Sequence, residues 1–346
     1  MPQSHDDDWT YLRRLLITAV VVALAYVAWR ISGILLLLFA AILVATLLTG
    51  LSEALATRTS ISLRWALAIV VAGLAVLLGG FFTFFGTQLA AQVVEVWSRV
   101  PEALDAAGKR FDITDASGRL TDAFSSTSGG QLASRAASMG YTLVGVLADL
   151  VLMIVTAIYL AADPNLYRRG LVKLFPPSQH ERVTDALSAT AAALRLWFLG
   201  QLVSMVLVGI LCAIAFSLIG VPMPIGLGVI AGITNFVPLV GPIVGAIPAI
   251  LFAFTEGTAT VLWTIAAILV IQQVEGYVIM PLVQRRAVDV PPAVVLFAIA
   301  IFAILFGGLG IVLAVPLAVA VMVMVQILWI RETLGERTTV AGEKQV

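Results

Sequence analysis

Apolar stretches of about 20 residues recur along this chain, and they constrain its fold more than any other feature, because a membrane helix needs that length. Backbone groups in lipid must be satisfied internally, so only helices or a closed barrel can span a bilayer. The chain is 61% hydrophobic and 12% charged, whereas soluble domains are about half apolar and about a quarter charged. We therefore predict an all-α, polytopic membrane protein rather than a water-soluble enzyme.

The apolar runs predict six full spans and two re-entrant helical hairpins, and eight full spans fit the hydropathy almost as well. The six spans are a tight helix pair within residues 15–51, broken between Arg30 and Gly33, and single helices at residues 64–86, 141–162, 198–219 and 258–282. The hairpins are assigned to residues 220–254 and 293–330. The polar stretch after Asp163 predicts an interfacial helix ahead of residue 198.

This assignment divides the chain into four regions. Residues 1–88 hold the N-terminal transmembrane helices, and residues 89–140 form an extramembrane region of amphipathic and polar sequence. Residues 141–335 form the transmembrane core, and residues 336–346 a cytoplasmic tail. Cytoplasmic loops carry an excess of Lys and Arg, and a cytoplasmic N-terminus places fourteen of the twenty Lys and Arg residues on that side. Both termini are therefore predicted to be cytoplasmic.

The segment from Gly220 to Ala249 holds six Gly and five Pro in thirty residues and no charge. Gly and Pro at this density break a regular helix. Broken backbone at membrane depth needs protein or a water-filled cavity to satisfy its polar groups. We predict a re-entrant hairpin here, and a second one where a Gly-rich break interrupts the last apolar run. Opposed hairpins of this kind are typical of transporters, whose substrate sites lie near the bilayer midplane.

Composition and motifs exclude several classes of function. Twenty Lys and Arg balance twenty Asp and Glu, so the chain lacks the basic surface that nucleic-acid binding requires. One cysteine and two histidines leave no disulfide framework or Cys-based metal site, and we expect no metal or cofactor. The sequence has no H-E-x-x-H, G-x-S-x-G or Walker A motif. We expect a protein that is not an enzyme, driven by an ion gradient or by the solute's own gradient.

Several short motifs follow one another from Tyr159 onward. They are Tyr159-Leu-Ala-Ala-Asp163, Leu174-Phe-Pro-Pro177, Gly200-Gln201, Asn235-Phe-Val-Pro-Leu-Val-Gly-Pro242, Pro281-Leu-Val-Gln284, Pro291-Pro292, Phe306-Gly-Gly-Leu-Gly310 and Ala314-Val-Pro316. In this order they resemble the autoinducer-2 exporter family of bacterial membrane proteins. Residues 1–88 resemble the family more loosely, and residues 89–138 resemble it little.

The resemblance implies a homo-oligomeric, pentameric transporter of the bacterial inner membrane that exports a small polar solute such as autoinducer-2. Some relatives resemble cation/proton antiporters instead. The chain departs from the family pattern at two places. Leu199 stands where relatives often carry a basic residue before the Gly-Gln pair, with Arg195 one turn earlier on the same helix face. Thr49-Gly50 stands where relatives frequently show Asn-Pro.

Three polar residues within spans are candidates for a substrate or ion pathway. An acid within a span is costly unless it is paired, protonated or hydrated, so Asp149 is either a carrier of a coupling ion or a residue near the interface. Gln272 and Glu275 are three apart and share a helix face. They predict a polar patch that lines a cavity, or alternatively a helix end paired with Arg285 or Arg286.

Asn235, Pro238, Gly241 and Pro242 complete the predicted pathway. The Asn235 amide can hydrogen-bond a sugar-like hydroxyl or cap a freed helix end, and both roles can coexist. The Gly and Pro residues are expected to shape the backbone around it. The predicted hinge and hairpin-tip residues are Gly232, Gly245, Gly307, Gly308, Gly310 and Pro316.

Three functions follow from these patterns. The first is export of a small polar solute by movement of a two-hairpin unit within the lipid bilayer, and the uncharged stretch from Leu196 to Thr255 favours a neutral or weakly charged solute. The second is Na⁺/H⁺ antiport, which requires Asp149 or Glu275 to be essential and titratable. The third is a non-transporting membrane scaffold that affects envelope permeability through partners.

Overall fold

In a computed structural model of the protein, the described residues are 29–77, 129–283 and 290–331, with residues 13, 15–20, 22, 23, 26, 27, 79, 80, 83 and 334. All regular secondary structure among them is helical, which confirms the predicted all-α fold. The helices are α1 (Ser32–Thr59), α2 (Leu63–Leu77), α3 (Gly129–Ala162), α4 (Pro164–Val172), α5 (His180–Ile219), α6 (Pro224–Thr234), α7 (Val240–Glu256), α8 (Thr258–Val274) and α9 (Pro292–Val325). α8 continues through a π-helical turn, Glu275–Ile279, into Met280–Val283, and α9 continues into Gln326–Arg331.

Four helical stretches of the described residues are long and apolar enough to cross a membrane. They are Ser32–Thr59, Pro177–Ile219, Thr258–Ile279 and Pro292–Arg331. A fifth candidate joins Leu147–Ala162 to Pro164–Val172 across a bend of 86°. The predicted helical, multi-pass membrane protein is therefore confirmed. The number of full spans stays a prediction, because α2, α6 and α7 are shorter and the last stretch folds back on itself.

The tight helix pair predicted within residues 15–51 is not formed. The Ile31 amide donates to the Val27 carbonyl at 3.0 Å, and the Leu35 amide donates to the Ile31 carbonyl at 3.1 Å. Helical hydrogen bonding therefore continues through the expected break, where only Ile31 departs from helical geometry. A single Gly such as Gly33 costs a helix only about 1 kcal/mol, and the exposed Arg30 needs no turn to reach water.

α3 begins at Gly129, so the C-terminal part of the predicted extramembrane region is helical. Residues 89–128, the larger part of that region, lie outside the described residues. At its other end α3 meets α4 at the 86° bend. The Asp163 side chain accepts a hydrogen bond from the Leu166 amide at 3.1 Å, and Pro164 opens α4. A capping carboxylate followed by Pro favours a new helix start, which explains the change of direction.

α5 is one uninterrupted helix of 40 residues, about 60 Å long at about 1.5 Å per residue. The separate interfacial helix and span predicted for this region are therefore a single element. The hydrocarbon core of a bilayer is about 30 Å thick, so α5 is long enough to cross it and to extend beyond it. The helix ends at Gly220, whose φ of 87° gives the left-handed cap that favours Gly.

α6 and α7 form a helical hairpin at the Gly- and Pro-rich segment. They have 11 and 17 residues, about 16 and about 26 Å, and both are shorter than the hydrocarbon core. The two arms lie side by side, because a Cβ on Gly245 in α7 would come within 3.0 Å of the Ala231 Cα in α6. This pair is called the first hairpin, and residues 235–239 are its tip. The break predicted from sequence is present, and its re-entrant character stays a prediction.

The last apolar run also folds back on itself. Gly307 has φ 64° and ψ −143°, outside helical geometry, so α9 consists of two arms. Residues 302 and 310 would be about 12 Å apart in a straight helix. Here a Cβ on Gly310 would overlap the Phe302 carbonyl oxygen. The chain therefore reverses at Gly307, as the Gly-rich break predicts, and residues 292–331 are called the second hairpin.

The two hairpins meet beside the middle of α5. Val319 of the second hairpin packs with Trp197 of α5, and Phe236 from the tip of the first hairpin packs against the same hydrophobic cluster. The arms of the first hairpin form another cluster with the C-terminal half of α5, which includes Phe216 and Phe252. This packing holds the tip of the first hairpin between α5 and the second hairpin.

Candidate functional site

Four polar side chains meet at the tip of the first hairpin. They are Gln201 and Ser204 of α5, Asn235 of the tip and Glu275 at the end of α8, and they are called the polar cluster. Asn235 Nδ2 donates to Glu275 Oε1 at 2.7 Å and to Ser204 Oγ at 3.3 Å. The Ser204 hydroxyl donates to the same Glu275 oxygen at 2.6 Å, and Gln201 Nε2 donates to the Asn235 backbone carbonyl at 2.6 Å.

The polar cluster is closed off from the surface. Glu275 is 7% exposed, Asn235 is 2% exposed, and Gln201 and Ser204 are each 1% exposed. Burying a carboxyl group is costly unless hydrogen bonds compensate its oxygens, and acids within membrane segments are functional candidates by default. The broken helix supplies one of the donors that make Glu275 tolerable at this depth. Asn235 and Glu275, both predicted pathway residues, are therefore in direct contact.

Close backbone packing holds the first hairpin against α5. A Cβ on Gly228 would lie 2.7 Å from the Gly209 carbonyl oxygen, and a Cβ on Gly232 would lie 2.8 Å from the Met205 carbonyl oxygen. Small residues permit this approach between helices in membranes. Because Gly232 lies three residues before Asn235, this contact sets where the amide of Asn235 meets α5. Gly232, a predicted hinge residue, therefore lies in a tight interface.

The tip is a strained turn. Leu239 has a φ of 69°, and the Val240 amide donates to the Pro238 carbonyl at 2.9 Å. Together these features define a γ-turn with positive φ, which is rare and strained. Directly after it, a Cβ on Gly241 would overlap the Thr234 carbonyl oxygen. Pro238 and Gly241 thus shape the turn beside Asn235, in keeping with the strain that collects at functional sites.

Phe236 anchors the tip on the side of α5. Its ring lies 6.0 Å from the Trp197 ring at 79°, and 6.3 Å from the Phe198 ring at 87°. Edge-to-face pairs of this geometry are favourable beyond the apolar area that they bury. The tip is therefore held by aromatic packing next to its hydrogen bonds.

Glu275 opens the π-helical turn at the end of α8, and such turns occur frequently at functional sites. Gln272, one turn earlier, faces a different environment. It lines an apolar cleft of about 330 Å³ with Pro242 and Ala246 of α7. Of the predicted Gln272 and Glu275 pair, only Glu275 therefore belongs to the polar cluster. The predicted partners of Glu275 in the alternative interpretation, at positions 285 and 286, lie outside the described residues.

The remaining predicted residues lie elsewhere. Asp149 is exposed on α3 and is not part of the polar cluster. Gly245 packs against Thr234 and Ala231 inside the first hairpin. The other four belong to the second hairpin, where they are the reversal point Gly307, the unobstructed Gly308, the tightly packed Gly310 and the buried Pro316.

Two members of the polar cluster were missed by sequence reasoning. Gln201 appears there only as part of the Gly200-Gln201 motif, and Ser204 is not singled out. The signal that could have found them is their spacing, because polar residues three apart in an apolar helix share one face. Their partner on the first hairpin could not be identified from that spacing.

The chemistry of the polar cluster is that of an acceptor-rich site. Each of its side-chain donors, Gln201 Nε2, the Ser204 hydroxyl and Asn235 Nδ2, is directed at an acceptor within the cluster. Among the described residues, no three His, Cys, Asp or Glu side chains come together as a metal site would require. Such a site suits a solute that brings its own hydrogen-bond donors, or a proton or small monovalent cation.

Comparison with known proteins places the chain in a family. The sequence model of the AI-2E family transporter matches residues 15–329, nearly the whole chain. The chain belongs to the AI-2E transporter family. The resemblance seen in the motifs is thereby confirmed, and a role as a membrane transporter follows from it.

Three relatives carry the name "Putative transport protein". YrrI of Bacillus subtilis (strain 168) is 32% identical over 166 residues, which cover 48% of this chain and 47% of that protein. YueF of the same organism is 34% identical over 180 residues, covering 50% and 48%. MT0215 of Mycobacterium tuberculosis (strain CDC 1551 / Oshkosh) is 28% identical over 322 residues, covering 89% and 86%. The chain thus spans about half the length of the two Bacillus relatives and most of the mycobacterial one.

Proposed function

We propose that this AI-2E family protein exports a small polar solute, with autoinducer-2 as the substrate and the polar cluster on the solute's path. The observation that carries the proposal is the buried carboxyl group of Glu275, hydrogen-bonded to a broken helix tip. Discontinuous helices that meet near the membrane midplane are the common setting of transporter substrate sites. The acceptor-rich chemistry of the cluster suits a neutral, hydroxyl-bearing solute.

The proposed movement is a shift of the two-hairpin unit against the remaining helices. The first hairpin is flanked by Gly220 and Gly257, with φ values of 87° and 117° and no atom within 4 Å of a Cβ at either position. Gly at such positions can absorb backbone rotation without steric cost. Withdrawal of the tip breaks the bond from Asn235 to Glu275 and frees that carboxyl oxygen for a bond to the solute. The energy comes from an ion gradient or from the solute's own gradient.

Na⁺/H⁺ antiport is the second candidate function, and one observation favours it. Glu275 is an acid in a buried, oxygen-rich cluster, and carboxylate, hydroxyl and carbonyl oxygens are the ligands that hard cations prefer. A carboxyl group in such a site can exchange a proton for a cation. This function requires Glu275 to be essential even when no polar solute is present.

The proposal extends to the cellular setting. We place the protein in the bacterial inner membrane. The Lys and Arg count favours both termini in the cytoplasm when residues 15–51 cross the membrane twice, whereas one continuous helix there puts the termini on opposite sides. A homo-pentamer is proposed from the family resemblance. The exposed apolar side chains around the helices, such as Ile304 and Leu218 at 84% exposure each, suit contact with lipid or with neighbouring subunits.

Flux in sealed proteoliposomes with an imposed pH gradient tests these functions. Autoinducer-2 and Na⁺ are measured in parallel for the native chain, Asn235→Ala and Glu275→Gln. Exposed residues of the same types provide matched controls, Asn165→Ala and Glu256→Gln. We expect both cluster variants to lose autoinducer-2 flux by at least about tenfold, while the two controls keep it. Asn235→Ala removes a buried hydrogen bond, and Glu275→Gln replaces the ionisable carboxyl group by a neutral amide.

The outcomes separate the candidates. Sodium-dependent proton movement that is lost in Glu275→Gln, without any solute flux, identifies the antiporter. Equal flux in the native chain and Asn235→Ala would show that the polar cluster is not on the solute's path.

A further inference from the structure

Gln201 holds a buried oxygen that makes no hydrogen bond. The side chain is 1% exposed, and among the described residues its Oε1 is the one buried side-chain nitrogen or oxygen without a partner. Buried acceptors in proteins are nearly always paired. The exception lies in the polar cluster, on the helix that carries Ser204.

The orientation of the Gln201 side-chain amide follows from the partner of its nitrogen atom. Nitrogen and oxygen of an amide are distinguished by their partners. The neighbour at 2.6 Å is the Asn235 backbone carbonyl, which can only accept, so the atom facing it is the donor Nε2. The unpaired atom is therefore an acceptor, and a partner for it must bring a donor.

We propose that Gln201 is a specificity-determining residue of the transport site, and that its Oε1 accepts a hydrogen bond from a hydroxyl group of the transported solute. This inference rests on the proposed export function and names what the site recognises. Glu275 Oε1 already accepts hydrogen bonds from Ser204 and Asn235. The fully buried acceptor without a partner is a neutral amide oxygen, which pairs with a neutral hydroxyl group without the desolvation cost of a cation.

The closed position of Gln201 agrees with such a role. The tip of the first hairpin covers it through the bond to the Asn235 carbonyl. Withdrawal of the tip exposes Oε1 together with the Glu275 oxygen that Asn235 releases. A solute with hydroxyl groups pairs these acceptors, whereas one that lacks the matching hydroxyl leaves Gln201 unpaired. A site built in this way discriminates strongly against the deoxy compound.

The proposal is tested by combining one substitution in the protein with the removal of one hydroxyl group from the solute. Proteoliposome uptake is measured for autoinducer-2 and for analogues that each lack one hydroxyl group. The proteins are the native chain, Gln201→Met, which keeps the size but removes both polar atoms, and Gln273→Met, an exposed glutamine on α8 as control. We expect the native chain and the control to prefer autoinducer-2 over one analogue by at least about tenfold. In Gln201→Met the ratio of autoinducer-2 uptake to uptake of that analogue falls towards one, while the ratios for the other analogues persist.

Each other outcome overturns the inference in a distinguishable way. Gln201→Met lowers the uptake of every compound by the same factor when the residue acts only as a brace for the tip or binds only an ordered water. A native chain that transports none of the compounds overturns the proposed export function as well. A preference for Na⁺ over choline that disappears in Gln201→Met would assign the oxygen to a cation instead.

Discussion

At the scale of single residues, the chemistry of the site depends on how Glu275 is compensated. Two donors, Asn235 Nδ2 and the Ser204 hydroxyl, reach the same carboxyl oxygen at 2.7 and 2.6 Å. One of them sits on the first hairpin and the other on α5. The carboxyl group therefore ties the tip to the long helix, and the loss of either donor weakens both the burial of Glu275 and the closed position of the tip.

Substitution of Ser204 by Ala tests this compensation. Ser204→Ala removes a donor to Glu275 and an acceptor for Asn235, and we expect the folded state to lose about 1–3 kcal/mol because buried groups are left unpaired. The measurement is the thermal unfolding midpoint in detergent micelles. Ser217→Ala on the exposed end of the same helix is the control. An unchanged midpoint for Ser204→Ala would mean that water replaces the hydroxyl without cost.

Sequence reasoning finds the residues of the site more readily than their partners. Asn235 and Glu275 stand out because a polar side chain in an apolar, broken or spanning segment needs an explanation. Their contact joins positions forty apart in sequence, and no local pattern encodes such a pairing. The unpaired oxygen of Gln201 cannot be predicted from the sequence, since it depends on which backbone carbonyl the amide nitrogen contacts.

At the scale of helices, Gly50 and Arg195 join α1 to α5. Arg195 donates to the Gly50 carbonyl at 3.0 Å and to Glu53 Oε2 at 3.4 Å. A Cβ on Gly50 would overlap the Arg195 guanidinium group. Arg195, one turn before Leu199, therefore contacts Gly50 of the Thr49-Gly50 pair. The missing side chain at position 50 makes room for the basic residue one turn before the Gly-Gln pair.

Gly50→Ala is predicted to displace Arg195 from this site. The loss of its contacts outweighs the gain in helix propensity, and we expect a net destabilisation of about 1 kcal/mol. In an Arg195→Met background the sign reverses, because the shorter, uncharged methionine side chain can turn aside and only the gain in helix propensity remains. The control is Gly33→Ala on α1, where a Cβ meets nothing within 4 Å. Thermal unfolding is measured for the native chain, Gly50→Ala, Arg195→Met and the double variant, beside the Gly33→Ala control. Additive changes in the free energy of unfolding would contradict the contact between Gly50 and Arg195.

The second hairpin offers a comparison between adjacent glycines. Gly307 has a φ of 64°, whereas Gly308 is helical and a Cβ there meets nothing within 4 Å. We expect Gly307→Ala to destabilise the protein by about 1–3 kcal/mol through backbone strain. Gly308→Ala should be neutral or stabilising by up to about 1 kcal/mol. Chemical denaturation in mixed micelles compares the two variants. Equal losses in the free energy of unfolding would mean that the chain does not reverse at Gly307.

Helix breaks are predictable from sequence only where Gly or Pro forces an unusual backbone. The Gly307-Gly308 break satisfies that condition, and the chain reverses there. Arg30 to Gly33 does not, and the helix continues through it with one irregular residue. A similar error occurs at α5, where a break is predicted and the helix is continuous. A change from polar to apolar sequence marks where a helix enters lipid, and does not mark where the helix ends.

At the scale of the whole molecule, the sides from which the two hairpins enter the membrane decide whether their tips can form one transport site. The arms of the first hairpin are about 16 and about 26 Å long, too short for the hydrocarbon core. Its tip packs beside the second hairpin at the middle of α5. In the six-span assignment with the N-terminus inside, the first hairpin enters from outside and the second from inside. One continuous helix through residues 15–51 exchanges the two sides but keeps the hairpins opposed.

Cysteine labelling with a membrane-impermeant maleimide tests this arrangement in a Cys212→Ser background. Ser217→Cys and Thr255→Cys, at the base of the first hairpin, are expected to react from the same single side of the membrane. Pro238→Cys at the tip should resist the reagent from the opposite side, because α6 is too short to reach that surface. Gly308→Cys, at the tip of the second hairpin, should resist the reagent from the side on which Ser217→Cys and Thr255→Cys react. Labelling of either tip from the face opposite its base would instead establish full spans in place of re-entrant hairpins.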